Sequence, residues 1–195
     1  MFHETDFILP LHFNFSLSTF AQKNFKNSER NRTFDSLELL LKNAKEDTNK
    51  VIALNQVGRE MSFLAEYNKG FEYVEKAKKL AEILKYKKGL AVSYENLGYI
   101  YLNRGDFPKA LESDFAALEI EEALNDKNLI GKSIGDIESV YFNQLDFKKS
   151  LEYNFKALKI WEELLSEAER KNNLSEIGQN KNRIAGSLLT YWHCV

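Results

Sequence analysis

From residue 51 onward, apolar positions recur in steps of three and four. Leu54, Val57 and Met61 are followed forty residues later by Tyr94, Leu97 and Tyr101, and forty later again by Ile134, Ile137 and Tyr141. Such steps place side chains on one face of a helix. A break follows at Asn103-Arg104-Gly105-Asp106, matched by Asp146, and an aspartate there caps a following helix by accepting its orphan backbone N–H groups. Pro108 then falls in a first helical turn, where proline costs little. Phe107, Ala110, Leu111, Ala117, Leu118 and Ile120 mark the second helix. The unit is a helical hairpin.

The hairpin repeats. Residues 51–90, 91–130 and 131–170 align without a gap, and five columns are identical in all three: Lys69/Lys109/Lys149, Glu72/Glu112/Glu152, Ala77/Ala117/Ala157, Glu82/Glu122/Glu162 and Leu84/Leu124/Leu164. The second and third blocks share fourteen of forty positions, against roughly two or three by chance at average composition. The middle block reads Leu97-Gly98-x-x-Tyr101-x-x-x-Gly105-x-Phe107-x-x-Ala110, then Ala117-Leu118. This pattern resembles the tetratricopeptide repeat (TPR), in an extended form of about forty residues like that of bacterial signalling proteins. The resemblance implies an all-α, right-handed α-solenoid of helix-turn-helix hairpins, three repeats plus a terminal helix. In the third block Glu138 replaces the first-helix glycine and Leu145 the turn glycine, so looser packing is expected there. Gly70 and Ser150 stand where alanine is usual.

Residues 174–192 carry Leu174, Ile177, Ile184, Leu188, Tyr191 and Trp192 at helical spacing, the first helix of a partial fourth unit with no second helix following. The array is thus expected over 47–195, with a short capping helix over 34–46. Residues 1–33 form a separate N-terminal segment. Its apolar part, 7–21, is too short and too polar to span a bilayer. Two readings stay open: a decayed signal peptide ending near Ala21, similar to Bacteroidetes export signals at Ser18–Gln22, or an ordinary amphipathic segment followed by a polar linker. A working signal would place the protein in the periplasm; otherwise the expectation is cytoplasmic.

Composition narrows the chemistry. Lys and Arg number 27 against 29 Asp and Glu, a net charge of −2, which makes no electrostatic case for nucleic acid or an anionic membrane. One cysteine, Cys194, excludes an internal disulfide framework, and His3, His12 and His193 have no metal-ligand spacing. No phosphate loop, HExxH, GxSxG or CxxC pair is present. The pairs Glu121-Glu122 and Glu162-Glu163 read as solvated helix surface rather than paired catalytic acids. His193 beside Cys194 does not supply the geometry of a base and nucleophile. No catalytic activity, metal or cofactor is expected.

In a solenoid of hairpins the first helix of each unit lines the concave face. The peptide-binding candidates are the residues of those helices that lie off the packing stripe: Asn55, Gln56, Arg59 and Phe63; Asn96, Tyr99 and Asn103; Lys132, Asp136 and Asn143. Asn103 and Asn143 share a column, and with Asn96 they are expected to form an inward polar row able to read a peptide backbone. Chaperone-adaptor TPR proteins clamp a C-terminal carboxylate with five side chains. Asn96 and Lys132 match that set in type, while Asn55, Arg59 and Asp136 do not. The expected function is a non-enzymatic scaffold that binds a protein or peptide partner. The extended repeat also resembles the sensory arrays of Bacteroidetes signalling proteins, implying a sensory or adaptor module. The alternative is a structural protein that self-associates, with exposed apolar groups of the C-terminal helix as the contact.

Overall fold

The computed structural model describes residues Ser36, Leu39, Leu41 and 45–194. The chain divides between Asn43 and Ala44 into two units. In the first, Ser36, Leu39 and Leu41 are helical. The expectations for residues 1–33 and for most of the 34–46 helix lie outside the described residues, although Lys45 and Glu46 are not helical.

The second unit is seven helices in a row: α1 (Thr48–Phe63), α2 (Tyr67–Ile83), α3 (Lys87–Asn103), α4 (Phe107–Leu124), α5 (Lys127–Asn143), α6 (Phe147–Arg170) and α7 (Leu174–Cys194). They pair as three hairpins and a final helix, so the architecture is an all-α solenoid. Hairpin boundaries fall about four residues before the gapless blocks, because the helices begin just after the turns rather than at the first apolar position. α1 packs on α3 and α3 on α5, whereas α2, α4 and α6 do not approach one another. The stack therefore curves with α1, α3 and α5 on its inner side. Each second helix also packs on the first helix of the next unit, which carries one core through the stack.

All six turns use the same ending. At the middle one, the Gly105 N–H donates to Leu102 O (3.0 Å) and the Asp106 N–H to Tyr101 O (2.9 Å), the Schellman arrangement, which needs one left-handed residue. Ala65, Lys85, Gly105, Asn125, Leu145 and Asn172 hold that position, with φ between 52° and 73°. Only Gly105 takes it without steric cost. The next residue starts the following helix, and Asp106, Asp126 and Asp146 each accept a backbone N–H three residues on, from Lys109, Leu129 and Lys149. The expected aspartate caps are present.

Packing between the helices of a hairpin depends on the glycine column. A side chain at Gly98 would run into the carboxylate of Asp114, and one at Gly58 into Val74. In the third hairpin Glu138 fills that column and stays buried, accepting a 2.7 Å hydrogen bond from the equally buried Ser150 hydroxyl. A buried polar contact occupies that column there. Trp161 extends the hairpin core, packing with Ile134 and Ala157 and against Ile184 of α7.

Candidate functional site

The inner face carries three side-chain columns spaced by forty residues: Gln56/Asn96/Asp136, Arg59/Tyr99/Ser139 and Phe63/Asn103/Asn143. The structure separates them by chemistry. At the α1–α3 end, Phe63 and Tyr99 form an edge-to-face pair with ring centroids 5.4 Å apart, and the Arg59 guanidinium lies 5.3 Å over the Phe63 ring. These rings are 49% and 37% exposed, a large apolar contact area left in water. Beside them, between α1 and α3, opens a pocket of about 450 Å³ lined by Ile52, Gln56, Arg59, Glu60, Tyr86 and Val92 among others. That volume is within the range of ligand-binding clefts. Gln56, Arg59, Phe63 and Tyr99 thus lie together at the α1–α3 end of the inner face.

The asparagines divide into a buried pair and an exposed pair. Asn55 and Asn96 are buried at the first repeat junction, where Asn55 Nδ2 donates to Gly89 O (3.1 Å) and Ser93 Oγ (3.0 Å). They hold α1 to α3, with Asn55 at the floor of the pocket and its amide already engaged. Asn103 and Asn143 end their helices, and each donates Nδ2 to the carbonyl four residues back, Tyr99 O and Ser139 O, at 2.8 Å. Their recurrence reflects a hydrogen bond at the helix end, where a short polar side chain turns back onto its own backbone. The inward row of Asn96, Asn103 and Asn143 is therefore corrected in one member: Asn96 is interior, while Asn103 and Asn143 are exposed, each giving one amide N–H to its own helix. A carboxylate clamp fails as well, since Lys132 is bound to Glu95 and to Asp136 (3.7 Å).

Comparison with known proteins agrees with this architecture. No protein-family model and no curated protein matches the chain. Among solved structures, aspartyl phosphate phosphatase F from Bacillus subtilis matches with TM-score 0.66 at 14% identity, over 88% of this chain and 49% of that one. BtubC from P. vanneervenii matches at 0.65 and 17% identity, over 91% and 75%. The TPR-like repeats of a putative kinesin light chain from Podosopora anserina match at 0.58 and 13%, over 89% and 93%. The fold is TPR-like. The chain spans about half the length of the phosphatase structure, and at these identities the likeness concerns the fold alone.

One cluster in this TPR-like array escaped the sequence reading. Glu121, read as solvent-facing, is 0% exposed, its carboxyl set against Ser133 and Glu95. It lies at the α3–α4–α5 junction with Glu95, Asp114, Lys132, Ser133 and Asp136 as charged or polar neighbours. Burial pushes the carboxyls of Asp114 and Glu121 up to about 8, and that of Asp136 up to about 6 against the pull of Lys132. Only the second member of Glu121-Glu122 is on the surface. The forty-residue register held the clue: the column is Ala81, Glu121, Trp161, a core column flanked by hydrophobes. Among the described residues no cluster of His, Cys, Asp and Glu is arranged to hold a metal, and no helix is long and apolar enough to cross a membrane.

Proposed function

We propose that this chain is a non-enzymatic interaction scaffold whose inner face binds a peptide or a segment of a partner protein. The observation that carries the reading is the exposed Phe63–Tyr99 pair under Arg59, next to the 450 Å³ pocket between α1 and α3. Aromatic and arginine side chains in such settings supply most of the binding energy at protein interfaces. The extended repeat, with its resemblance to sensory arrays, supports placement in a bacterial signalling system as a sensory or adaptor module. Selection from a displayed peptide library, followed by titration of the selected peptides, tests the reading. Arg59→Ala with Phe63→Ala should weaken capture by about 1–3 kcal/mol while the helical circular dichroism stays unchanged. Selection that yields no saturable binder, or binders indifferent to both substitutions, would sink it.

A second reading has its own support. Leu189 and Trp192 on α7 are 62% and 74% exposed, which favours self-association through that helix.

A further inference from the structure

The repeat register breaks once. α1 contacts α3 and α3 contacts α5, but no Cα of α7 comes within 8 Å of one in α5. The first helices of the second and third hairpins begin forty residues apart, at Lys87 and Lys127, whereas α7 begins at Leu174. The extra length lies in α6, which has 24 residues against 17 and 18 in α2 and α4. At 1.5 Å per residue α6 overruns by about 10 Å, so α7 re-enters out of step with α5.

The result is a cavity of about 320 Å³ between α5, α6 and α7. Gly135 and Gly186 line it, and a side-chain carbon at either would meet nothing within 4 Å. Trp161, Ala157 and Asn154 of α6 also line it, all three buried. Asn154 is 3% exposed, yet its Oδ1 has no hydrogen-bond partner. A buried acceptor of this kind is uncommon and calls for a donor.

The neighbouring charges say which donor. Glu138 adds a buried carboxylate to the cavity lining. The basic groups there are already engaged: Lys132 with Glu95 and Asp136, and Arg183 with Asn128 (2.9 Å), Asn180 (3.3 Å) and the Trp161 ring at 4.3 Å. Unmet hydrogen-bonding capacity at this site is acceptor capacity. Arginine and lysine side chains are donors only, and their aliphatic stems suit the Trp161–Ala157 wall.

We propose that the cavity between α5, α6 and α7 receives an arginine or lysine side chain of the bound peptide, hydrogen-bonded to Asn154 and facing Glu138. The assignment rests on the peptide-binding reading and adds a specificity pocket at the far end of the groove.

The probe is acetyl-arginine amide, titrated into the full chain while the indole N–H resonance of Trp161 is followed, with Trp192→Phe to assign it. Acetyl-lysine amide is a second positive probe; acetyl-leucine amide and acetyl-glutamate amide are controls. A saturable shift is expected with the basic probes, at least about tenfold tighter than with either control, a difference of about 1.4 kcal/mol. Gly135→Leu should fill the cavity and abolish the shift. Asn154→Leu should weaken the shift while leaving the unfolding midpoint unchanged or higher, which a merely structural asparagine would not do. No saturable shift, equal response to the leucine probe, or full binding in Gly135→Leu overturns the assignment. Peptides selected on the Arg59–Phe63 surface separate the two ideas. If they bind with no preference for a basic residue, the pocket fails and the groove stands. If no peptide is captured while the arginine probe still binds, the groove fails.

Discussion

Asn96 on α3 donates its side-chain amide to both the backbone oxygen (3.3 Å) and the side-chain oxygen (3.2 Å) of Asn55 on α1. Asn55 in turn donates back to Gly89 O and Ser93 Oγ of α3. Two residues expected to greet a ligand instead join the first two hairpins. Replacing one partner leaves the other buried and unsatisfied, so Asn96→Ala should cost about 1–3 kcal/mol. Urea titration measures it. An unchanged midpoint would show that the amide pair is dispensable.

The acidic junction should invert the usual response to pH. Asp114 and Glu121 have folded pKa values raised to about 8, well above the roughly 4 of an unfolded carboxyl. Folding therefore takes up protons, and the contribution of these groups is fully present below pH ~4 and is lost as pH rises towards 8. The melting temperature should climb as pH falls from about 8 to 5, until the surface ion pairs begin to protonate. Glu121→Gln should stabilise the protein at pH 8 by about 1–3 kcal/mol and flatten the profile. A flat wild-type profile would show that Lys132 compensates these carboxyls.

Leu145 holds the left-handed turn position at φ 62°, where the middle hairpin has Gly105. Its side chain is largely exposed, so little burial offsets a backbone penalty of about 1–2 kcal/mol. Leu145→Gly should raise stability by about 0.5–1 kcal/mol, the remainder being offset by glycine's freedom in the unfolded chain. A lower thermal midpoint in this variant would mean the leucine is held by contacts stronger than its strain.

Association through α7 is expected to depend on concentration. Burying one large apolar side chain is worth about 1.5–3 kcal/mol, and Leu189 and Trp192 present two on one helix. Light scattering over a dilution series should show a mass that rises with concentration in the wild type and stays constant in Leu189→Glu with Trp192→Glu. A monomer at every concentration removes the self-association reading.

Hairpins, turns and caps were legible in the residues because they follow local rules. Apolar steps of three and four, the Asp106 and Asp146 caps, Pro108 in a first turn and the forty-residue period each act within a few residues of chain. Arg59, Phe63 and Tyr99 could be placed on the inner face by the same counting. The fate of a polar side chain is decided otherwise, by what the neighbouring hairpin sets against it. Asn55 and Asn96 stand in exposed-looking positions of the helical wheel and are buried because α1 and α3 meet there. Glu121 beside Glu122 reads as a solvated pair and is sealed in because α3 and α5 close over α4. The cavity at Asn154 arises from six or so additional residues in α6, whose consequence appears only once α7 has to pack. Helical periodicity reports which face a residue occupies; burial depends on whether another element covers that face, and that is a property of the stack.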